Sequence, residues 1–139
     1  MSILVTNNVD SEGKIIQVLH ADDDEDFFMI SKRQIEKFDP LINMNFISSP
    51  YDVLELLESF DCIVLDYKMP KFDGVQLAFT IRETSDIPII LYTGHGSEEV
   101  ASAAFEAGVN GYIRKESEAS HYQVLSKLIR MVVEKCARA

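Results

Sequence analysis

The strongest constraint on the fold is a regular alternation between short apolar runs and longer segments with helical periodicity. The apolar runs lie at 15–19, 42–47, 62–65, 88–92 and 111–113, and the helical segments at 24–38, 49–57, 73–82, 97–108 and 119–136. Continuously apolar strands are typical of parallel sheets that are covered on both faces, and parallel strands need crossover connections. The alternation therefore predicts a single-domain α/β fold, namely a flavodoxin-like doubly wound five-stranded parallel sheet in the order 2-1-3-4-5 with five helices.

Length and charge narrow the class of protein. The 139 residues suffice for one domain, which we expect at residues 14–137 behind a flexible N-terminal tail at residues 1–13. Acidic residues outnumber basic ones 23 to 13, and the resulting net charge of −10 disfavours direct binding to nucleic acid or to anionic membranes. The start of the chain lacks the pattern of a secretory signal, and no apolar run is long enough for a membrane span. We therefore expect a cytoplasmic protein whose two cysteines form neither a disulfide nor a metal site.

Polar residues follow shortly after the ends of four of the predicted strands. Asp22 and Asp23 come after the first strand, Asp66 after the third, Thr93 after the fourth and Lys115 after the fifth. In a doubly wound sheet, ligands bind beyond the carboxyl ends of the strands, at the switch point between the first and third strands. We therefore expect these side chains to converge on one site.

The residue types in this predicted site suit phosphoryl transfer. Several carboxylates in one pocket repel each other and need a cation, and Mg²⁺ prefers oxygen ligands. A metal ion and a lysine stabilise charge on the transferring oxygens, a threonine hydroxyl can hydrogen-bond one of them, and a carboxylate can serve as the nucleophile. Taken singly, each residue has an ordinary explanation, since aspartates such as Asp24 often cap helices and an isolated lysine is usually a solvated charge. The functional interpretation depends on their joint occurrence.

These residues lie in motifs that resemble the receiver domain of two-component response regulators. The resemblance covers residues 15–133, and its motifs are Ala21-Asp22-Asp23-Asp24, Val64-Leu65-Asp66-Tyr67-Lys68-Met69-Pro70 with Asp73-Gly74, Leu91-Tyr92-Thr93-Gly94 and Gly111-Tyr112-Ile113-Arg114-Lys115. Their combined order and spacing are specific, unlike any one motif. The acidic segment and the run from Gly96 to Val100 are also similar to archaeal members of this family, which suggests an archaeal source.

The resemblance implies a phospho-acceptor and a metal site. Asp66 would accept a phosphoryl group from a phosphohistidine on a sensor histidine kinase. Asp23, Asp66 and the backbone carbonyl of Lys68 would ligate Mg²⁺ directly, and Asp22 would act mainly through a bound water. The chain would then be a switch and not an enzyme that acts on other molecules.

The resemblance also implies how phosphorylation would become a signal. Thr93 and Lys115 would bind the phosphoryl oxygens, and Tyr112 would turn inward when Thr93 moves toward the phosphate. The output surface would comprise the fourth helix, the fifth strand and the fifth helix. It would act on a downstream target protein or a covalently linked output domain, and the chain would be a monomer or a weak dimer through the fourth and fifth helices.

One position departs from the family pattern, and two neighbours of the site are variable. Glu116 stands after Lys115, where the family usually has a proline that is often joined by a cis bond. A cis bond is costly without proline, so we expect a trans bond and a differently shaped loop, which would alter the reach of Lys115. Lys68 and His95 flank the path of attacking water, and either they alter the rate of phosphate loss or both side chains point to solvent.

Periodicity also predicts which helical residues pack against the sheet. One face of the first helix is predicted to carry Phe27, Phe28, Ile35 and Phe38. His20 is expected near a strand end and His121 at a solvated helix start, and neither carries a functional argument.

Two other functions fit parts of the pattern. A protein-binding module of the same fold would act without phosphorylation. A magnesium-dependent hydrolase of the haloacid dehalogenase type also uses a nucleophilic aspartate at a strand end. It places a second aspartate two residues later, where this chain has Lys68, and it usually carries a cap insertion for which 139 residues leave no room.

Overall fold

The computed structural model describes residues 13–69 and 72–138. The strands are β1 (Ile16–Ala21), β2 (Ile42–Ile47), β3 (Cys62–Leu65), β4 (Ile89–Thr93) and β5 (Gly111–Arg114). The helices are α1 (Glu25–Phe38), α2 (Pro50–Leu56), α3 (Gly74–Arg82), α4 (Glu98–Glu106) and α5 (Ser120–Arg138), and a 3₁₀ turn follows α2 at Leu57–Ser59. The predicted tail lies, apart from Gly13, outside the described residues.

The five strands form one parallel sheet in the predicted order β2-β1-β3-β4-β5. The predicted doubly wound fold is therefore confirmed. The first and third strands lie side by side at the centre, with Ala21 opposite Leu65 in the register. Because both strands end at this level, the residues that follow them leave the sheet next to each other.

Alternate residues along each central strand enter different hydrophobic layers, as a sheet covered on both faces requires. In β3, Ile63 and Leu65 pack in the layer that includes α3 and α4, whereas Cys62 and Val64 pack in the layer that includes α1 and α5. The side chains of β3 and β4 are almost completely inaccessible to solvent on both faces of the sheet, and this packing fixes the position of the strand ends.

The loops at the carboxyl ends of the strands are fixed by helix caps. The Asp24 carboxylate accepts a hydrogen bond from the backbone N–H of Phe27, and the Ser97 hydroxyl accepts one from Val100. Asp73 forms a reciprocal capping box with Gln76 at the start of α3. Such caps satisfy backbone donors at the helix N-termini that otherwise lack partners. Asp24 is thus a helix cap, the ordinary role considered for it above.

Two predictions about burial were wrong. Phe38 is 42% exposed, because it is the last residue of α1, where the chain turns away toward β2. His121 is buried, not solvated, since Tyr92 of the neighbouring β4 reaches α5 and its hydroxyl lies 2.6 Å from His121 Nε2. Of the other predicted members of the first-helix face, Phe28 and Ile35 are buried and Phe27 is partly buried.

Both cysteines are free, as expected. Cys62 lies in the core and Cys136 is partly exposed near the end of α5. Across residues 13–69 and 72–138, none of the helices combines the length and the apolarity needed to cross a bilayer.

Candidate functional site

Three carboxylates meet beyond the adjacent ends of β1 and β3. The backbone N–H of Asp66 donates to the carbonyl of Ala21, and this bond places Asp66 beside the start of the Asp22-Asp23 segment. Each of Asp22, Asp23 and Asp66 offers a carboxylate oxygen within 4.8 Å of the other two. Asp22 and Asp66 are buried, whereas Asp23 is exposed to solvent. The predicted convergence of these residues is observed.

Lys115 reaches this cluster from the end of β5. Its Nζ lies 2.8 Å from Asp22 Oδ2 and 3.5 Å from Asp66 Oδ2. The ammonium also lies 4.3 Å from the centre of the Phe27 ring, within the range of a cation–π contact. Glu116, which stands where the family usually has proline, therefore does not prevent Lys115 from entering the site.

The two buried carboxylates have opposite electrostatic environments. Burial alone would raise the pKa of Asp22, but contacts with His20 and Lys115 outweigh it and hold that pKa well below its usual range. Burial raises the pKa of Asp66, and Lys115 only partly offsets this effect while Asp22 adds to it. Asp22 is thus the better stabilised anion, and Asp66 is the carboxylate that still lacks positive charge.

Thr93 ends β4 next to this cluster. Its side chain is buried, and its hydroxyl accepts a hydrogen bond from the backbone N–H of His95 at 3.0 Å. A hydrogen bond from Thr93 also contributes to lowering the pKa of Asp66, against the larger effect of burial. Thr93 therefore connects the carboxylate cluster to the loop that follows β4.

Tyr112 of β5 lies against this same loop. Its hydroxyl is buried and has no hydrogen-bond partner among the described residues. A Cβ atom added to Gly96 would fall 1.8 Å from that hydroxyl, so the tyrosine occupies space that only a glycine leaves open. The sequence motif placed Tyr112 near the site, but it gave no indication of the part played by Gly96.

A second glycine allows close packing behind Asp66. A Cβ atom on Gly74 would lie 2.3 Å from the backbone oxygen of Asp66, and the Gly74 N–H donates to the carbonyl of Tyr67 at 2.8 Å. Any larger side chain would push α3 away from the end of β3. The Asp73-Gly74 motif thus has a structural basis in the close approach of α3 to the loop that follows β3.

The donor set fits a hard divalent cation. The groups that face one another are carboxylate oxygens, which Mg²⁺ prefers, and their net charge exceeds that of the single lysine beside them. The side chains of Lys68 and His95 are exposed at the rim.

One neighbour of the site was missed from the sequence. His20, in β1, is fully buried, and its Nε2 lies 3.4 Å from Asp22 Oδ2. Its position in an apolar strand gave no signal, because the partner that it faces becomes adjacent only when the chain leaves the strand at Asp22.

The arrangement suits one class of chemistry. A buried carboxylate lies beside a lysine, a threonine hydroxyl and an oxygen-rich cation site, which together can stabilise an anionic group transferred to that carboxylate. The site is bounded by strand ends and capped helices, so its groups are held in place before a ligand arrives.

Comparisons with known proteins agree with this architecture. The family model described as the response regulator receiver domain matches residues 18–127. The chain is 33% identical over 105 residues to the cyclic di-GMP phosphodiesterase response regulator RpfG of Xanthomonas campestris. This match covers 72% of this chain and 28% of that protein. It is 31% identical over 101 residues to the transcriptional regulatory protein SrrA of Staphylococcus aureus, which covers 71% of this chain and 41% of that protein.

Solved structures show the same fold. A response regulator receiver domain protein from Clostridium thermocellum superposes with a TM-score of 0.75 at 26% identity, and the match covers 88% of this chain and 98% of that one. The chain spans less than half the length of the two sequence relatives. The expectation of an archaeal source is not borne out, since the relatives named here are bacterial.

Proposed function

The chain belongs to the response regulator receiver domain family of two-component systems, and from this premise we propose that it is a phosphorylation switch with Asp66 as its acceptor. The observation that carries the proposal is the meeting of the Asp22, Asp23 and Asp66 carboxylates with the ammonium of Lys115. Asp66 is the member of this set whose buried charge is least compensated.

The proposed reaction is transfer of a phosphoryl group from a phosphohistidine of a sensor histidine kinase. A carboxylate oxygen of Asp66 attacks phosphorus, the phosphorus–nitrogen bond breaks, and the donor imidazole leaves with the electron pair and takes up a proton. Lys115 lies 3.5 Å from Asp66 Oδ2, where it can stabilise charge on the transferred oxygens. Hydrolysis by water later releases phosphate and restores the carboxylate.

The proposed cofactor is Mg²⁺. Asp23 and Asp66 would hold it directly, together with the backbone carbonyl of Lys68, and Asp22 would act mainly through a bound water. Bound there, it would neutralise the carboxylates and the negative charge of the phosphoryl group. The oxygen-only donor set of the acidic cluster supports this assignment.

The proposed switch begins at Thr93. Its hydroxyl now accepts from the His95 N–H, so a turn toward a phosphoryl oxygen would release the loop that follows β4. Tyr112 lies against Gly96 of that loop and has no hydrogen-bond partner for its hydroxyl among the described residues. The phosphoryl group contacts one arrangement of this loop better than the other and therefore shifts the population toward it.

The proposed output surface is formed by α4, β5 and α5. Phe105 on α4 and Val124 and Met131 on α5 are each more than half exposed, as a surface for a target protein or a linked output domain would require. The same helices would form any weak dimer. The phosphodiesterase in the name of the Xanthomonas relative is an activity of that longer protein, and we propose none for this chain.

Lys68 and His95 remain candidates for setting the lifetime of the phosphorylated state. Both side chains are exposed, which is compatible with contact to attacking water and equally with simple solvation. Rates of phosphate loss that differ from wild type in Lys68→Ala or His95→Ala would favour the first possibility, and unchanged rates the second.

The proposal is tested by incubation with a small-molecule phosphodonor, with intact mass as the readout. We expect the wild-type protein to gain one phosphoryl group in Mg²⁺ and none in a chelator, and Asp66→Asn to gain none. Asp73→Asn is the matched control, because it removes a carboxylate from the same end of the sheet, and asparagine caps α3 as well as aspartate does.

Either of two results would contradict the acceptor assignment. Labelling that persists in Asp66→Asn would place the acceptor elsewhere. No labelling of the wild-type protein, under conditions that label an established receiver domain, would favour the binding module that acts without phosphorylation.

A further inference from the structure

The buried imidazole of His20 is the part of the molecule that the proposed switch leaves unexplained. Its side chain is completely inaccessible, and neither ring nitrogen has a hydrogen-bond partner among the described residues. A buried polar group without a partner destabilises a fold, and such groups often mark a functional requirement. An aliphatic residue would suit the core here, because aromatic rings surround the imidazole. The ring centres of Phe28 and Tyr92 lie 5.6 Å and 5.8 Å from the centre of the His20 ring.

A polar atom of the carboxylate cluster lies close to this ring. His20 Nε2 lies 3.4 Å from Asp22 Oδ2, slightly beyond a good hydrogen bond. The same carboxylate is held at its other oxygen, because Asp22 Oδ1 accepts from the backbone N–H of Asp24 at 3.0 Å. A small movement of Asp22 about that anchor would bring Oδ2 within bonding distance of His20.

In the structure, Lys115 and not His20 is the closest partner of Asp22 Oδ2. Its Nζ lies 2.8 Å from Asp22 Oδ2 and farther, at 3.5 Å, from Asp66 Oδ2. A divalent cation at the acidic cluster would repel the ammonium, and a phosphoryl group on Asp66 would attract it. In either case Lys115 moves away from Asp22, whose Oδ2 then loses its closest partner while it remains shielded from water.

We propose that His20 is a positioning residue for the cation site, which holds the carboxylate of Asp22 through Nε2 when Lys115 moves away from it. The inference rests on the proposed function, since it assumes that the cluster binds a divalent cation and that Asp66 receives a phosphoryl group. Carboxylates that serve a metal site are themselves commonly hydrogen-bonded, and removal of such a partner typically costs about 10- to 100-fold in metal affinity or activity.

The structure predicts different effects of His20→Leu on stability and on cation binding. Leucine fills the apolar site and removes the buried ring nitrogens, which favours stability, but it also removes a contact that helps keep Asp22 ionised, so the melting temperature without metal should change little. Affinity for Mg²⁺ should fall by about 10-fold or more. His20→Gln retains an N–H donor on a side chain of similar reach and should recover most of the affinity.

The matched control is the second buried histidine. His121 bonds the Tyr92 hydroxyl and the carbonyl of Glu118, and it does not contact Asp22. His121→Leu should therefore lower the melting temperature and leave Mg²⁺ affinity unchanged, which is the reverse of the pattern for His20→Leu. Damage to the core alone cannot produce both patterns.

The experiment measures Mg²⁺ affinity directly by isothermal titration calorimetry on the unphosphorylated proteins, with the melting temperature of each in a chelator. Mg²⁺ binding by the wild-type protein and its labelling at Asp66 test the proposed function separately. Given those, a loss of affinity in His20→Leu with recovery in His20→Gln supports the role of His20. Equal affinity in wild type and His20→Leu, or an equal loss in His20→Leu and His20→Gln, would overturn it.

Discussion

The two ends of the sheet differ in how completely their charged side chains are paired. At the amino end, Arg82 donates to the carbonyls of Ser85, Ile87 and Gly108 and to the side chain of Asn110, at 2.7–3.1 Å. At the carboxyl end, Lys115 is the only lysine or arginine among the described residues that pairs with the carboxylate cluster, and nearby ring nitrogens and a tyrosine hydroxyl have no hydrogen-bond partner in that part of the chain.

The difference separates stability from function. Burial lowers the pKa of Arg82. Its N–H groups nevertheless donate to carbonyls that precede β4 and β5, and they thereby link the two segments at the amino end of the sheet. A polar network with its partners in place fixes one structure. Buried carboxylates whose charge is only partly compensated attract cations, which is the basis of the cation site proposed at the carboxyl end.

The largest effect is expected for Lys115→Met. This change leaves Asp22 and Asp66 buried without their cation, and removal of one partner from a buried pair costs about 3–5 kcal/mol. We expect a loss of unfolding free energy of that order in urea titrations with a chelator, and partial recovery in Mg²⁺. A loss that Mg²⁺ does not reduce would mean that the cluster is not a cation site.

Arg82→Met tests the other end and should cost less. Several acceptors lose a charged donor, but they lie near the surface, where water can replace it, so we expect a loss of about 2 kcal/mol. Because the cluster lies at the opposite edge, Mg²⁺ should stabilise this variant as much as it stabilises the wild-type protein. A selective loss of the Mg²⁺ effect in Arg82→Met would show that the two ends are coupled.

The sequence allowed much of this comparison to be predicted. The strand order, and the meeting of Asp22, Asp66 and Lys115, follow from apolar runs whose ends share one edge of a parallel sheet. The environments of His20 and His121 could not be predicted, because their partners come from other elements or from beyond a strand end.

The role of Gly96 was equally inaccessible from the sequence. Its requirement for a small residue comes from the Tyr112 hydroxyl, which belongs to a different strand and approaches only after β5 is in place. Periodicity and helix caps are local signals, whereas such contacts depend on the packed structure.

Asp66→Asn is expected to have a smaller effect on stability, and to raise it, whereas Lys115→Met and Arg82→Met lower it. Burial raises the pKa of Asp66, so the folded state holds this proton more tightly than the unfolded chain. Stability therefore falls as the pH rises from the unfolded pKa to the raised one, and the full penalty remains above it. In a chelator near neutral pH, Asp66→Asn should melt a few degrees higher than wild type.

The pH dependence provides the check on this assignment. The difference between Asp66→Asn and wild type should shrink at acid pH, where the carboxyl group is protonated in both states. Asp22 has the opposite sign: its lowered pKa stabilises the fold above the unfolded value, and this contribution is lost as the pH falls. A lower melting temperature for Asp66→Asn at neutral pH would contradict the electrostatic account of the acceptor.

The central claim is that the carboxylate cluster at the carboxyl end of the sheet binds a divalent cation. Thermal unfolding in Mg²⁺ and in a chelator tests it most directly, on wild type and on the double variant Asp22→Asn/Asp23→Asn. The account predicts that Mg²⁺ stabilises the wild-type protein, by about 2.7 kcal/mol at a concentration of 100 times Kd, and that it has little effect on the double variant. No stabilisation of the wild type, or equal stabilisation of both proteins, would contradict it.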